Sequence, residues 1–236
     1  MCSDDLANKR LAFQLIDSLQ INFNWKKYLA LHEWLMEGTV PFIEGWEEEE
    51  NGFSAQEEAI IRVFNKTSYG TQHKKLKTWD RRVYLLPNLK ALNFHSNQFE
   101  EIPKSIKQLS KLEALNLNKN QLTVIGKELD KNHLLESLSL GHNSIYAIHI
   151  DFKQLKNLNH LDLAGNELTE LPKGIGGLSY LRHLNLNNNP LKILPKNLNK
   201  LINLEKLYLL NTQITKEVVD NLKTQLPNCN ILYSKK

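Results

Sequence analysis

Residues 158–166 read LNHLDLAGN, and the frame LxxLxLxxN returns along the chain as LKALNFHSN from Leu89, LEALNLNKN from Leu112, LESLSLGHN from Leu135 and LRHLNLNNN from Leu181. A last copy, LEKLYLLNT from Leu204, puts Thr212 where the others carry Asn. Each copy begins 23 residues after the one before. Within LxLxx the apolar side chains alternate, so a short strand directs its leucines inward and the residues between them outward. One such unit cannot bury its own apolar face, whereas about three or more stacked units can. The period therefore predicts a stack of repeats whose strands form a parallel sheet, one strand every ~4.8 Å. Asn97, Asn120, Asn143, Asn166 and Asn189 fall where the chain turns inward after the strand. A side-chain amide both donates and accepts there, which suits buried backbone groups of neighbouring turns.

The frame resembles the leucine-rich repeat family in its 23-residue class, in the form common among bacterial proteins. The second half of that class, xLxxIPxxIxxLxx, stands here as Phe99, Ile102, Pro103, Ile106 and Leu109, and again as Leu168, Leu171, Pro172, Ile175 and Leu178. The resemblance covers residues 89–214 and implies an α/β solenoid with a short parallel concave sheet. It also implies a binding surface on that sheet.

Solenoids need their open ends covered. After Leu209 the frame gives way to TQITKEVVDNLKTQLPNCNILY. Thr215 fits a helix N-cap, Val218, Val219, Leu222 and Leu226 form an apolar stripe, and Pro227 ends it. Cys229, Ile231 and Tyr233 then alternate as in an edge strand, so residues 215–236 read as a helix-strand cap. At the front, moving the frame back one period to Lys66 places Tyr69, Leu76, Trp79, Val83 and Leu86 on apolar positions, with Lys74 at the Asn position. Residues 66–88 thus read as a degenerate repeat ahead of the six at 89–214. Residues 1–65 read as a helical cap of three segments. The first spans about 4–20 and opens on Asp4 and Asp5; the second carries Trp25, Tyr28, Leu29, His32, Leu35 and Met36 at helical spacing between Asn24 and Gly38; the third has a capping box in Ser54 and Glu57 and buries Ile60, Ile61 and Phe64.

Composition narrows the function classes. The 236 residues are 41% hydrophobic and 24% charged, a globular balance with enough chain for a substantial core. No run of about 18 apolar residues marks a membrane span, and the N-terminal stretch MCSDDLANKRLAF lacks the apolar core of a signal peptide. Cys2 and Cys229 are too few for a disulfide framework or a structural zinc site. A cytoplasmic protein with reduced thiols is expected, the alternative being a bacterial effector secreted into a host cell without a cleavable signal. There is no nucleophile elbow, Walker loop or HExxH motif. Gly174, Gly176 and Gly177 in KGIGGL lie in the returning half of a repeat, not between a strand and a helix. The expectation is no catalysis and no cofactor or metal.

The outward strand positions make the best candidate site. Reading down the stack, the first column is Ala91, Ala114, Ser137, His160, His183 and Lys206, and the second is Asn93, Asn116, Ser139, Asp162, Asn185 and Tyr208. Two further columns run His95, Asn118, Gly141, Ala164, Asn187, Leu210 and Ser96, Lys119, His142, Gly165, Asn188, Asn211. Early repeats present small residues in the first two columns. Later ones present His160, Asp162, His183, Asn185, Lys206, Tyr208 and Leu210, and a tyrosine among polar and charged groups is the composition of a protein-binding hot spot. His160, His183 and Asp162 have the chemistry of metal ligands, but register stacking alone brings them together.

Charge is uneven. Residues 1–88 carry 11 Lys/Arg against 13 Asp/Glu, and the rest carry 19 against 13. The acidic run EGWEEEEN holds Glu44 and Glu47 to Glu50, and the basic run HKKLKTWDRR holds Lys74, Lys75, Lys77, Arg81 and Arg82. The two runs are read as mutually neutralising; a third alternative, an acidic polymer such as nucleic acid as the ligand, rests only on the +6 of residues 89–236. The sequence as a whole predicts a monomeric, non-enzymatic scaffold or adaptor that binds a protein, away from membranes, on its concave face.

Overall fold

The structure, a computed structural model, describes residues 66–86 and 88–234. The chain divides into two units, Met1–Lys66 and Thr67–Lys236. The three expected N-terminal helices lie outside the described residues.

Alternation of leucine with polar residues produces one short strand per repeat. These are β1 (Ser68–Gly70), β2 (Ala91–Asn93), β3 (Ala114–Asn116), β5 (Ser137–Ser139), β7 (His160–Asp162), β8 (His183–Asn185) and β9 (Lys206–Leu209). Two further strands, β4 (Val124–Ile125) and β6 (Ala147–Ile148), pair separately in the returning halves of adjacent repeats. The chain then forms a helix, α1 (Lys216–Gln225), and a last strand, β10 (Asn230–Tyr233). The main sheet has eight strands in the order β1, β2, β3, β5, β7, β8, β9, β10. Every pair in it is parallel, and from β2 to β9 the leucines stay in register, with Leu92, Leu115, Leu138, Leu161, Leu184 and Leu207 facing one another in turn.

Returning halves contribute short 3-10 turns. Lys104–Gln108, Lys173–Gly177 and Lys196–Lys200 each follow a proline whose fixed φ, −66°, −59° and −67° respectively, starts the turn. Ile106, Ile175 and Leu198 point from these turns into the core. The interior is therefore a stack of leucine layers, with aromatics in its first layers. Phe94 stands where later repeats carry Leu, and it meets Trp79 edge-on at 4.8 Å and Phe99 at 5.3 Å between ring centroids.

Turn asparagines tie the layers together. Asn120 Nδ2 donates to Phe94 O of the previous repeat and to Leu117 O of its own, while its Oδ1 accepts from Phe99 N. Asn143, Asn166 and Asn189 repeat this pattern. Asn97 extends it into the degenerate repeat, donating to Thr71 O and accepting from Leu76 N. In the last copy the buried Thr212 substitutes its hydroxyl, which donates to Leu209 O and accepts from Ile214 N.

Each turn passes through a left-handed residue just before the ladder position: His73, Ser96, Lys119, His142, Gly165, Asn188 and Asn211, with φ between 54° and 64°; the first turn has a second one at Lys75, φ 56°. Only glycine adopts this conformation without a Cβ penalty. A Cβ added at Gly165 would in addition stand 2.7 Å from His142 Nδ1, whereas one at Gly174 would meet nothing nearer than Phe152 Cδ2 at 3.9 Å. Gly165→Ala should therefore cost about 1–2 kcal/mol in urea unfolding. Gly174→Ala should leave stability unchanged or raise it by up to about 1 kcal/mol, by restricting the unfolded chain. Equal losses in the two variants would contradict the turn geometry.

At the other end, Thr215 caps α1 by accepting from Val218 N at 3.5 Å, and Val219 and Leu222 are buried beneath it. β10 pairs with β9 so that Ile231 faces Leu207 and Leu232 faces Tyr208. Cys229 is buried in this segment, and burial pushes its thiol up to about 11. A thiol so raised is almost entirely protonated at neutral pH and is a poor nucleophile.

Candidate partner-binding face

The outward residues of the sheet occupy two unbroken rows. One row pairs Ala91, Ala114, Ser137, His160, His183, Lys206 and Asn230 in sequence; the other pairs Asn93, Asn116, Ser139, Asp162, Asn185, Tyr208 and Leu232. Alternation puts both rows on the side opposite the leucines. The seven candidate residues thus share one face, over β7, β8, β9 and the residue following β9.

Their contacts differ along that face. His160 and His183 meet edge-on with ring centroids 5.8 Å apart. Half-burial lowers the His160 pKa below its ordinary value, the nearby Asp162 charge opposes that shift, and His183 adds to it. The net shift favours the neutral ring, a hydrogen-bonding rather than a charged group. Asp162 is committed locally: Oδ1 accepts from Ala164 N at 3.1 Å, and Oδ2 from Asn118 Nδ2 at 3.4 Å. Asn118 reaches across the intervening strand because position 141 is glycine, whose N–H donates to Asn118 Oδ1 at 2.6 Å. Asn185 Oδ1 accepts from Asn187 N, and Asn187 Oδ1 accepts from Leu210 N. His183 Nε2 lies 3.6 Å from Glu205 Oε2, while Arg182 Nη1 bonds the other oxygen of that carboxylate at 2.9 Å. Lys206 is exposed and Tyr208 half-buried.

Two apolar side chains remain uncovered here, Leu210 at 37% and Leu232 at 36% exposure. Leu232 escaped the sequence reading, although the alternation that turned Cys229, Ile231 and Tyr233 inward already implied that it faces out. With Tyr208 beside it in register, the late end of the face combines a tyrosine, two leucines, a lysine and two imidazoles. The early end offers Ala91, Asn93, Ala114, Asn116, Ser137 and Ser139.

Among the described residues, no three His, Cys, Asp or Glu side chains gather as metal ligands would. No described helix is long and apolar enough to cross a membrane.

Comparison with known proteins agrees with this architecture. A leucine rich repeat family model matches residues 133–191, and a second leucine rich repeat model matches residues 88–109. The chain is a leucine-rich repeat protein. Among solved structures, a leucine-rich repeat protein of Leptospira interrogans is 34% identical with a TM-score of 0.69, over 74% of this chain and 44% of that one. An internalin of Listeria monocytogenes is 25% identical with a TM-score of 0.61, over 71% of this chain and 47% of that one. The leucine-rich repeat ectodomain of an Arabidopsis thaliana receptor kinase, solved in complex with Casparian strip integrity factor 2, is 24% identical with a TM-score of 0.57, over 71% of this chain and 22% of that one. That last likeness concerns the fold alone. The chain spans less than half the length of the bacterial proteins it matches. No curated protein sequence matches it significantly. Leucine-rich repeat domains serve in general as protein-interaction modules, and no catalytic family is indicated for this one.

Proposed function

We propose that this leucine-rich repeat protein is a non-enzymatic scaffold or adaptor, resident in the cytoplasm, that binds a protein partner on the late half of its concave face. The observation that carries this reading is the register of β9 with β10, which sets Tyr208 against the exposed Leu232 with Leu210 close in sequence. Hot spots in protein interfaces favour a tyrosine anchor within a desolvated patch ringed by polar groups. Lys206, Asn185 and His183 supply that ring. The same face lacks an activated nucleophile, and the one described thiol is buried elsewhere and protonated.

The test begins with affinity capture from native lysate to identify the partner, followed by quantitative binding. Tyr208→Ala should weaken binding about thirtyfold or more, since a buried tyrosine anchor is worth ~2 kcal/mol on truncation. Folding should change little, because the ring lies on the face opposite the leucine core. Asn116→Ala, in the same row among the early repeats, should bind almost normally. Equal losses in the two variants would place the footprint elsewhere.

A further inference from the structure

The turn flank beside the sheet carries a second feature that the concave-face reading does not use. At the left-handed position the early repeats place His73, Ser96, Lys119 and His142 in succession, each 23 residues after the last, with φ of 54° to 57°. The later repeats continue the same column with Gly165, Asn188 and Asn211, none of them charged. This flank is stacked as regularly as the strands, because Ser96 N donates to Asn118 O, Lys119 N to Gly141 O and His142 N to Ala164 O. His95 adds a third imidazole, its ring edge-on to His73 at 5.6 Å between centroids. Lys74 and Lys75 lie beside His73 in the chain and are exposed, as are His73, Lys119 and His142. The early half of the flank is cationic and the late half neutral.

We propose that this early turn flank is a docking site for an extended acidic segment of a partner protein. Basic side chains are brought together here, with Lys119 between His142 and the His73–His95 ring pair. Partial burial lowers the His95 pKa below its ordinary value, and Lys119, His73 and His142 lower it further. The carboxylate bordering the patch, Asp162, is already held by Asn118 Nδ2 and Ala164 N. An acidic group docked here would offset that repulsion. Spacing indicates its shape: three repeat steps from His73 to His142 cover about 14 Å, the reach of four or five extended residues and far more than one phosphate group spans. Protonation sets the strength. An imidazole ordinarily changes charge between about pH 5 and 8, so in acid the rings add to the lysine charge and in alkali only the lysines remain.

The experiment titrates a hexaglutamate peptide against the full chain at pH 5.5 and 8.0, by calorimetry and by the imidazole proton signals in NMR. Binding should be evident at pH 5.5, shift the His73, His95 and His142 signals, and weaken about tenfold by pH 8.0, given the modest worth of each exposed charge pair. Lys119→Glu should weaken it about tenfold, whereas Asn188→Glu, in the neutral half of the same column, should not. Absence of binding at pH 5.5, affinity independent of pH, or equal losses in the two variants would overturn the proposal. So would tighter binding of a single-stranded oligonucleotide, or equal competition by inorganic phosphate, which would indicate a phosphate ligand. A parallel titration uses the variant carrying Glu47→Gln, Glu48→Gln, Glu49→Gln and Glu50→Gln; binding to that variant and not to the unchanged chain would overturn a partner segment as the occupant. Because the probe is synthetic, the outcome does not depend on Tyr208 or on the identity of a concave-face partner.

Discussion

Leu163→Ala should lower the unfolding free energy by about 2–5 kcal/mol. Leu163 is 0% exposed and sits midway along the stack, with the equally buried Leu140 and Leu186 at the same position of the repeats before and after it. Truncation removes three carbons from a layer whose neighbours cannot close in, because each is fixed by its own strand at the sheet spacing. The cavity therefore persists, and the cost falls in the range measured when buried leucines are cut back without collapse. Location amplifies the consequence. In a linear array stability is carried by each repeat and its two interfaces, so a central defect weakens coupling on both sides. Urea unfolding followed by far-UV circular dichroism should show a lower midpoint with an unchanged slope. A loss under about 1 kcal/mol would mean that Leu163 does not occupy the assigned layer.

The ease with which this core is read from sequence has a physical origin. A 23-residue period fixes which side chains stack, because every repeat solves the same burial problem in the same way, and the strands and ladder asparagines follow from counting. Features that depart from the period were harder to see. Leu232 pairs with Tyr208, but the offset between β9 and β10 is 24 residues and α1 intervenes, so counting from Leu204 does not reach it. Asn132 occupies a position held by Leu109, Leu155, Leu178 and Leu201 in other repeats, yet it is fully buried, with Nδ2 donating to Ile106 O and Leu109 O. Its Oδ1 has no partner, and nothing in the pattern foretells an amide in a leucine column. The cationic flank was hidden for a related reason. His73 belongs to a repeat so degenerate that its place beside His95 shows only once β1 pairs with β2, and the basic run around it read most simply as neutralised by the acidic run.

Asn166 presents the second large effect, and it separates hydrogen bonding from packing. Its Nδ2 donates to Leu140 O at 3.0 Å and Leu163 O at 2.9 Å, and its Oδ1 accepts from Ile145 N at 3.0 Å. The two carbonyls have other donors, Asn143 Nδ2 and Asn189 Nδ2 respectively. Ile145 N has no other acceptor in the ladder, and Ile145 is itself fully buried. Asn166→Ala thus strands one buried donor and removes three further bonds, the third a longer one to Ala164 O at 3.3 Å, for a loss of about 3 kcal/mol. Asn166→Asp keeps nearly the same shape but aims a carboxylate oxygen at two carbonyl oxygens. Burial and that repulsion both favour the protonated acid, so the aspartate pKa in the folded state must rise above its unfolded value of ~3.9. The sign follows: the folded state then holds more protons than the unfolded one, so stability falls as pH rises from about 4 toward the raised pKa. At pH 4 the protonated carboxyl can still donate to one carbonyl and accept from Ile145 N, and the variant should lie closer to wild type than Asn166→Ala does. At pH 7 it should be the less stable of the two, while the deficit of Asn166→Ala stays constant with pH. Urea titrations of both variants at pH 4 and pH 7 measure the difference, and parallel pH profiles would mean that the amide at position 166 does not bridge its two neighbours as the geometry requires.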